Sequence, residues 1–198
     1  MMKKSDVKAF FDRLAPGWDA GQDFSDKVVE EILDAADVRP GTSVLDVGCG
    51  TGVLFPFYLR RDVKQVLAVD LSEQMIRIAR EKQPDSRIEL VCADMEELPV
   101  RYPVDCIVLF NCFPHFPDPE RLFRVLSGWL RPGGRLTVGH SMGLQKLNAH
   151  HFSGAQSVSR CSLSAQEIHR QMSSVFCVDR FCSNEDLFYS SGVLLEKK

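Results

Sequence analysis

Apolar positions recur along this chain in two rhythms. Val7, Phe10, Phe11 and Leu14 fall at helical spacing, so residues 5–15 read as a helix, which Ala15-Pro16-Gly17-Trp18-Asp19 breaks. Ser25 caps a second helix that runs to about Val38, with Val28, Val29, Ile32 and Leu33 apolar, and Arg39-Pro40-Gly41 ends it. From there short apolar runs alternate with helical patterns. The runs predict strands over 43–48, 65–70, 87–92, 104–110 and 135–140, and the patterns predict helices over 53–60, 72–82 and 119–130. Pro56 is tolerable only near the start of its helix. Ser72 caps the next, Pro84 stops it, and Arg131-Pro132-Gly133-Gly134 closes the last. Strands that are apolar throughout and alternate with helices make a doubly wound parallel sheet. The tail changes rhythm, with a helix over 164–172 and then strands over 175–182 and 186–195. Only Ser183-Asn184-Glu185 separates those two strands, so they pair antiparallel. The expected fold is α/β, with seven strands, mostly parallel and with an antiparallel C-terminal strand.

Composition narrows the classes. The 198 residues suffice for one domain with a substantial core, and no repeat or low-complexity linker interrupts them. A net charge of −3 argues against a nucleic-acid binder. No apolar run approaches the roughly 20 residues that span a membrane. Met1-Met2-Lys3-Lys4 has no apolar run behind it, so no secretory signal is read. The seven cysteines include no Cys-x-x-Cys pair. Cys92, Cys106 and Cys177 lie in apolar runs, where reduced thiols act as small buried hydrophobes, and a cytoplasmic setting is expected.

The chemistry concentrates where the first strand ends, in Val44-Leu45-Asp46-Val47-Gly48-Cys49-Gly50-Thr51-Gly52. Glycines at alternate positions suit a turn where backbone passes close to a bound molecule, over the start of a helix. A plain turn between core elements is the bland alternative. A dinucleotide loop wants Gly-x-Gly-x-x-Gly, but Val53 stands at the third glycine position. The Gly-Lys-Ser/Thr of a phosphate-binding P-loop is absent. An acid two residues before Gly-x-Gly-x-Gly resembles motif I of the class I S-adenosylmethionine-dependent methyltransferases, and the resemblance extends over about 42–140. That family has a Rossmann-like fold, and its antiparallel ending matches the tail.

The resemblance implies S-adenosyl-L-methionine as cofactor. Asp46, Gly48, Cys49, Gly50 and Gly52 would hold its methionine end. Asp70, ending the second strand, would accept from the ribose hydroxyls, unless it serves only as a helix cap. Leu71 would pack on the adenine, with Met75 in the following helix. Asp94 would accept from the adenine amino group, or else cap a short turn, and Met95 would offer its N–H. Asn111 would contact the cofactor after the fourth strand.

The cofactor brings the activated methyl, so the protein mainly positions a nucleophile and excludes water. Asn111-Cys112-Phe113-Pro114-His115-Phe116 lies at the cleft and lacks the Asn/Asp-Pro-Pro-Tyr of enzymes that methylate base amino groups. His115 is the candidate base, against a loop that merely covers the pocket, and His140 faces the cleft by topology as a second catalytic candidate. His150 and His151 lie ten residues on, in a lid. These histidines and Cys112 fit no standard ligand spacing, so no metal is assigned, and the cysteine arrangement of arsenic methyltransferases is not matched. Phe10, Phe11 and Trp18 look like the N-terminal segment that closes over the cofactor in quinone and small-molecule methyltransferases, or are simple helix packing. Trp18 and Phe113 would wall the sulfonium.

The expected layout is one domain over 1–198, with 1–40 forming part of the lid, 41–140 the cofactor core, and 141–198 the substrate side and last strands. The polar segment 141–164 is expected to be mobile. The expected partner is a small-molecule substrate, with no nucleic acid and no membrane; oligomeric state is not readable. A nicotinamide-dependent oxidoreductase and a non-catalytic cofactor-binding protein remain open as other readings.

Overall fold

The computed structural model describes residues 2–21, 25–82, 85–160 and 163–195, without the side chains of His151 and Ser153. Its strands are β1 (Ser43–Val47), β2 (Gln65–Asp70), β3 (Ile88–Cys92), β4 (Val104–Phe110), β5 (Leu130–His140), β6 (Phe176–Ser183) and β7 (Phe188–Leu194). Its α-helices are α1 (Lys4–Leu14), α2 (Asp26–Ala35), α3 (Phe55–Arg60), α4 (Glu73–Lys82), α5 (Pro119–Ser127), α6 (Leu144–Gly154) and α7 (Ala165–Met172). The seven strands form one sheet in the order β3-β2-β1-β4-β5-β7-β6. Neighbours from β3 through β5 pair parallel, while β7 runs antiparallel to both β5 and β6. The order reverses between β1 and β4, and in such sheets a crevice opens above the carboxyl ends of the strands at that point.

Every residue of β1 is buried, so both faces must be covered. Side chains alternate across the strand. Val44 joins Ile32, Phe57, Tyr58 and Ile76 on the face of α2, α3 and α4. Leu45 and Val47 join Leu122, Phe123, Ile168 and Met172 on the face of α5 and α7. The caps follow the sequence: Ser25 accepts from Val28 N, Asp118 from Arg121 N and Ser164 from Glu167 N. Pro56 stands in the first turn of α3, where its missing N–H costs nothing. Pro84 lies outside the described residues.

Three features differ from the sequence expectation. The polar 141–164 segment contains α6, anchored by buried Leu144 and Leu147, and Asn148 exchanges two hydrogen bonds with the Leu163 backbone. Its apolar contacts are too sparse to read as a periodic face. The second difference is at α5, which ends at Ser127, and Leu130 already pairs with Val104 in β5. Arg131-Pro132-Gly133-Gly134 is therefore an irregularity within the strand, with Gly133 at φ 76°, rather than a closing loop. Finally, Cys106 is buried, but Cys92 and Cys177 are exposed because β3 and β6 are the edge strands. Cys161 lies outside the described residues.

Phe123 of α5 stacks on Phe113 (centroids 5.5 Å apart) and meets Phe176 edge-on (6.1 Å), with no solvent exposure. Phe123→Ala is expected to lower unfolding free energy by about 3–5 kcal/mol in urea denaturation. A loss under about 1 kcal/mol would show that α5 does not anchor this core.

Candidate active site

The chain leaves β1 through a turn that only glycine fits at two points. Gly48 has φ 68°, and a Cβ there would lie 2.7 Å from the Cys112 Cβ. Cys112 in turn donates from Sγ to Val47 O at 3.0 Å, locking the ends of β1 and β4 together. Gly52 has φ 84°, and a Cβ would sit 2.3 Å from the Phe55 ring. The N–H groups of Gly48 and Cys49 both donate to Val69 O, so the turn lies against β2. Its backbone is thereby exposed to a cleft lined by Gly48, Cys49, Gly50, Asp70, Leu71, Met75, Asp94, Met95, Asn111 and His115.

Carboxylates sit on the wall beneath the turn. Asp46 is 1% exposed on the face covered by α3 and does not itself line the cleft. Its Oδ2 has no hydrogen-bond partner among the described residues. Burial, then the neighbouring Asp70 charge, pushes its pKa up to about 8, and Tyr58 only partly opposes this. Asp70 lines the cleft and accepts from Gly50 N and from Ser72 N, each at 2.8 Å. Burial raises its pKa despite those bonds. Two desolvated acids side by side suit a cationic ligand. Burial holds the Cys49 and Cys112 thiols well above their usual pKa, so neither is a thiolate nucleophile.

The roof is α1 and the turn after it. Lys4, Lys8 and Asp12 share one helix face at four-residue spacing. Lys4 reaches Asp94 (2.6 Å) and Glu96 (2.7 Å), and although burial opposes its charge, those bonds raise its pKa. Lys8 pairs with Asp12 and Glu73. Asp12 accepts from Ser72 Oγ (2.6 Å) and Gln74 N (3.2 Å), and Ser72 Oγ accepts from Met75 N, so residues from two elements cap α4. Trp18 brings its Nε1 to 3.8 Å from the Cβ position of Gly50, and Asp19 accepts from Thr51 at 2.6 Å. The expected adenine acid, Asp94, is thus already ion-paired, and it also accepts from Glu96 N. The sequence reading missed Lys4, Lys8 and Asp12, although their spacing was visible in it.

At the far end, Asn111 adopts φ 54° and exchanges two side-chain hydrogen bonds with Ser141, tying the β4 and β5 ends together. His115 lines the cleft with its ring edge-on to Phe11 at 4.8 Å. Its Nδ1 lies 2.8 Å from Val158 O; a carbonyl only accepts, so Nδ1 carries the proton. Burial lowers its pKa to about 4. His140 is not brought to the cleft. Gly139 faces Ile32 of α2, so His140 turns to the opposite face of the sheet, where it is fully buried beside Phe188. Gly52 likewise shapes the turn without lining the cleft. Phe113 is fully buried beneath the cleft rather than walling it. His150 faces a separate groove with Lys27, Glu31 and Ser141, and the His151 side chain lies outside the described residues. No group of three or more metal-ligating side chains converges among the described residues.

A family model described as a methyltransferase domain matches residues 45–138. The chain is 31% identical over 146 residues to the malonyl-[acyl-carrier protein] O-methyltransferase of Acetivibrio thermocellus, covering 71% of this chain and 52% of that one. It is 34% identical over 115 residues to the ubiquinone/menaquinone biosynthesis C-methyltransferase UbiE of Vibrio cholerae, covering 54% and 44%. The chain thus spans about half the length of these curated relatives. Among solved structures, the N-methyltransferase NodS of Bradyrhizobium japonicum, bound to S-adenosyl-L-homocysteine, superposes with a TM-score of 0.74 at 15% identity, over 96% of this chain and 99% of that one. The [4+2]-cyclase SpnF superposes at 0.72 with 20% identity, over 90% and 75%. These likenesses show the fold.

The buried Asp46 makes the protein's stability depend on pH. Its folded pKa of about 8 exceeds the ordinary value of 3.8, so the unfolded chain releases its proton first and stability falls as pH rises between those values. Asp46→Asn is expected to raise the melting temperature of the ligand-free protein by a margin that grows from pH 4 to pH 8. A margin independent of pH would contradict the raised pKa.

Proposed function

The chain belongs to the class I S-adenosylmethionine-dependent methyltransferases, and from that premise we propose that it transfers a methyl group from S-adenosyl-L-methionine to a small-molecule acceptor by in-line displacement. The observation that carries this reading is the pair of desolvated carboxylates, Asp46 and Asp70, beneath an exposed glycine backbone. S-adenosylmethionine supplies a methyl already activated on a sulfonium, together with an ammonium and a ribose diol. The residues present fit it. The orphan Oδ2 of Asp46 matches the ammonium, directly or through water. Asp70 is oriented by two backbone N–H groups, which leaves its remaining lone pairs for the diol. The same Asp46 and the Val53 at the third-glycine position oppose the nicotinamide reading, since an anionic pyrophosphate gains nothing from a buried acid beneath the turn.

The chain's own work is positioning, exclusion of water and handling of one proton. Phe11, Trp18 and α1 close the cleft from solvent. With Nδ1 donating to Val158 O, neutral His115 keeps its lone pair on Nε2, where it accepts the proton of an arriving O–H or N–H nucleophile. We assign residues 1–40 to the lid and 41–140 to the cofactor core of one catalytic unit. A reducing, cytoplasmic setting is supported by the free thiols of Cys49, Cys106 and Cys112 around the core. No helix among the described residues is long and apolar enough to cross a membrane.

Methyl transfer from labelled S-adenosylmethionine to a panel of small hydroxyl, amine and carboxylate compounds tests the reading; transfer to none of them contradicts it. Asp70→Ala is expected to weaken S-adenosylhomocysteine binding about 10–150-fold, the worth of a hydrogen bond to a charged group. With an active acceptor, His115→Ala is expected to lower kcat about 100-fold. Because the His115 pKa lies near 4, kcat/KM of the parent enzyme should show no acid limb near pH 6.5. A full-strength His115→Ala enzyme would remove the base assignment.

A further inference from the structure

The glycine turn has little N–H of its own to offer a ligand. Gly48 N and Cys49 N both donate to Val69 O, and Gly50 N donates to Asp70 Oδ2. The side-chain donors that line the cleft are engaged as well. Lys4 meets Asp94 and Glu96, Lys8 meets Asp12 and Glu73, Ser72 donates to Asp12, and Asn111 donates to Ser141. The Cys112 thiol donates to Val47 O, and the His115 proton to Val158 O. Trp18 differs. It lines the cleft, and its indole N–H meets no acceptor among the described residues.

The ring is held with that N–H toward the turn. Nε1 lies 3.8 Å from the Cβ position of Gly50, and no other indole atom comes within 4 Å of it. Phe11 meets the ring edge-on, with centroids 5.5 Å apart. Trp18 N donates to Ala15 O at 3.2 Å, and the next residue, Asp19, accepts from Thr51 (2.6 Å) and Lys82 (2.8 Å). The methionine end of S-adenosylmethionine carries its ammonium and its carboxylate on one α-carbon, so an ammonium drawn to Asp46 brings a carboxylate to the same turn. That carboxylate arrives beside two buried acids, Asp46 and Asp70, while both lining lysines are paired on the roof. An anion that leaves water without a donor is costly, and an N–H bond to a carboxylate is stronger than one to a neutral acceptor. We propose that the indole N–H of Trp18 donates to the α-carboxylate of the bound S-adenosyl amino acid, an inference that rests on the methyl-transfer reading above. The donor stands on the turn after α1 and the acids stand in the sheet, so the zwitterion is gripped from both sides of the cleft.

The test is calorimetric titration of the full chain with S-adenosylmethionine and with decarboxylated S-adenosylmethionine, which keeps the sulfonium, the ammonium and the nucleoside and lacks only the carboxylate. Trp18→Phe keeps an aromatic ring and removes the N–H. It should weaken S-adenosylmethionine about tenfold or more, the worth of a hydrogen bond to a charged group, and change decarboxylated S-adenosylmethionine less than about twofold. Equal weakening of both would show a ring that acts by packing or on the sulfonium, and weakening of neither would show an idle N–H; either result overturns the proposal. A parent protein that binds neither compound would instead overturn the methyl-transfer reading. Nuclear magnetic resonance of the parent supplies an arm that needs no folded variant. The chain has two tryptophans and Trp129 is fully buried, so the indole N–H that exchanges faster with solvent is that of Trp18. At saturation its resonance should move downfield with S-adenosylmethionine and much less with the decarboxylated compound. The same shift with both, or with neither, would overturn the assignment.

Discussion

The close approach of Gly48 to Cys112 is the contact on which the site depends. Two adjacent parallel strands must end at the same height, and one must turn sharply to uncover its backbone. A side chain at Gly48 would occupy the space of the Cys112 Cβ, and its φ of 68° already excludes most residues. The Cys112 thiol, bonded to Val47 O, holds the two strand ends at that distance. Everything functional hangs from this junction. The glycine turn faces Asp70 on one side, and Asn111 and His115 project from the other.

Electrostatics then divides the cleft into a wall set in the sheet and a roof held by side-chain contacts. Asp46 and Asp70 are embedded in the sheet, and burial raises both pKa values. A cation arriving there replaces lost hydration, and its binding draws on strain already present in the fold. The roof is held differently. Lys4 to Asp94, Asp12 to Ser72 and Asp19 to Thr51 are part-buried polar contacts, the first an ion pair and the other two hydrogen bonds from buried hydroxyls. They hold α1 and the turn after it over the pocket. On that roof Lys4 engages Asp94, the acid expected to meet adenine.

The sheet was legible in the sequence because β1, β2 and β4 are buried on both faces and read as unbroken apolar runs. The helix α6 was not, since among its described side chains Leu144 and Leu147 are the buried apolar ones, while Phe152 points to solvent. The wall of the cleft was legible because glycine spacing and strand-end acids are local signals. The roof contacts were not, because they join residues distant in sequence. His140 shows the limit of topology as a guide: it ends a strand beside β4, but alternation turns its ring to the face away from Ile32, where it packs beside Phe188. Asp94 shows another limit, since position after β3 located the residue without revealing its ion pair.

The central claim is that the desolvated acids under the Gly48 turn, Asp46 and Asp70, select the ammonium and ribose diol of an S-adenosyl amino acid over a dinucleotide. Side-by-side calorimetric titration of the full chain with S-adenosylhomocysteine and with NADH tests it most directly. The account predicts saturable binding of S-adenosylhomocysteine, weakened when Asp70 is replaced, and no measurable binding of NADH. Preferential binding of NADH, or S-adenosylhomocysteine binding indifferent to Asp70, would contradict it.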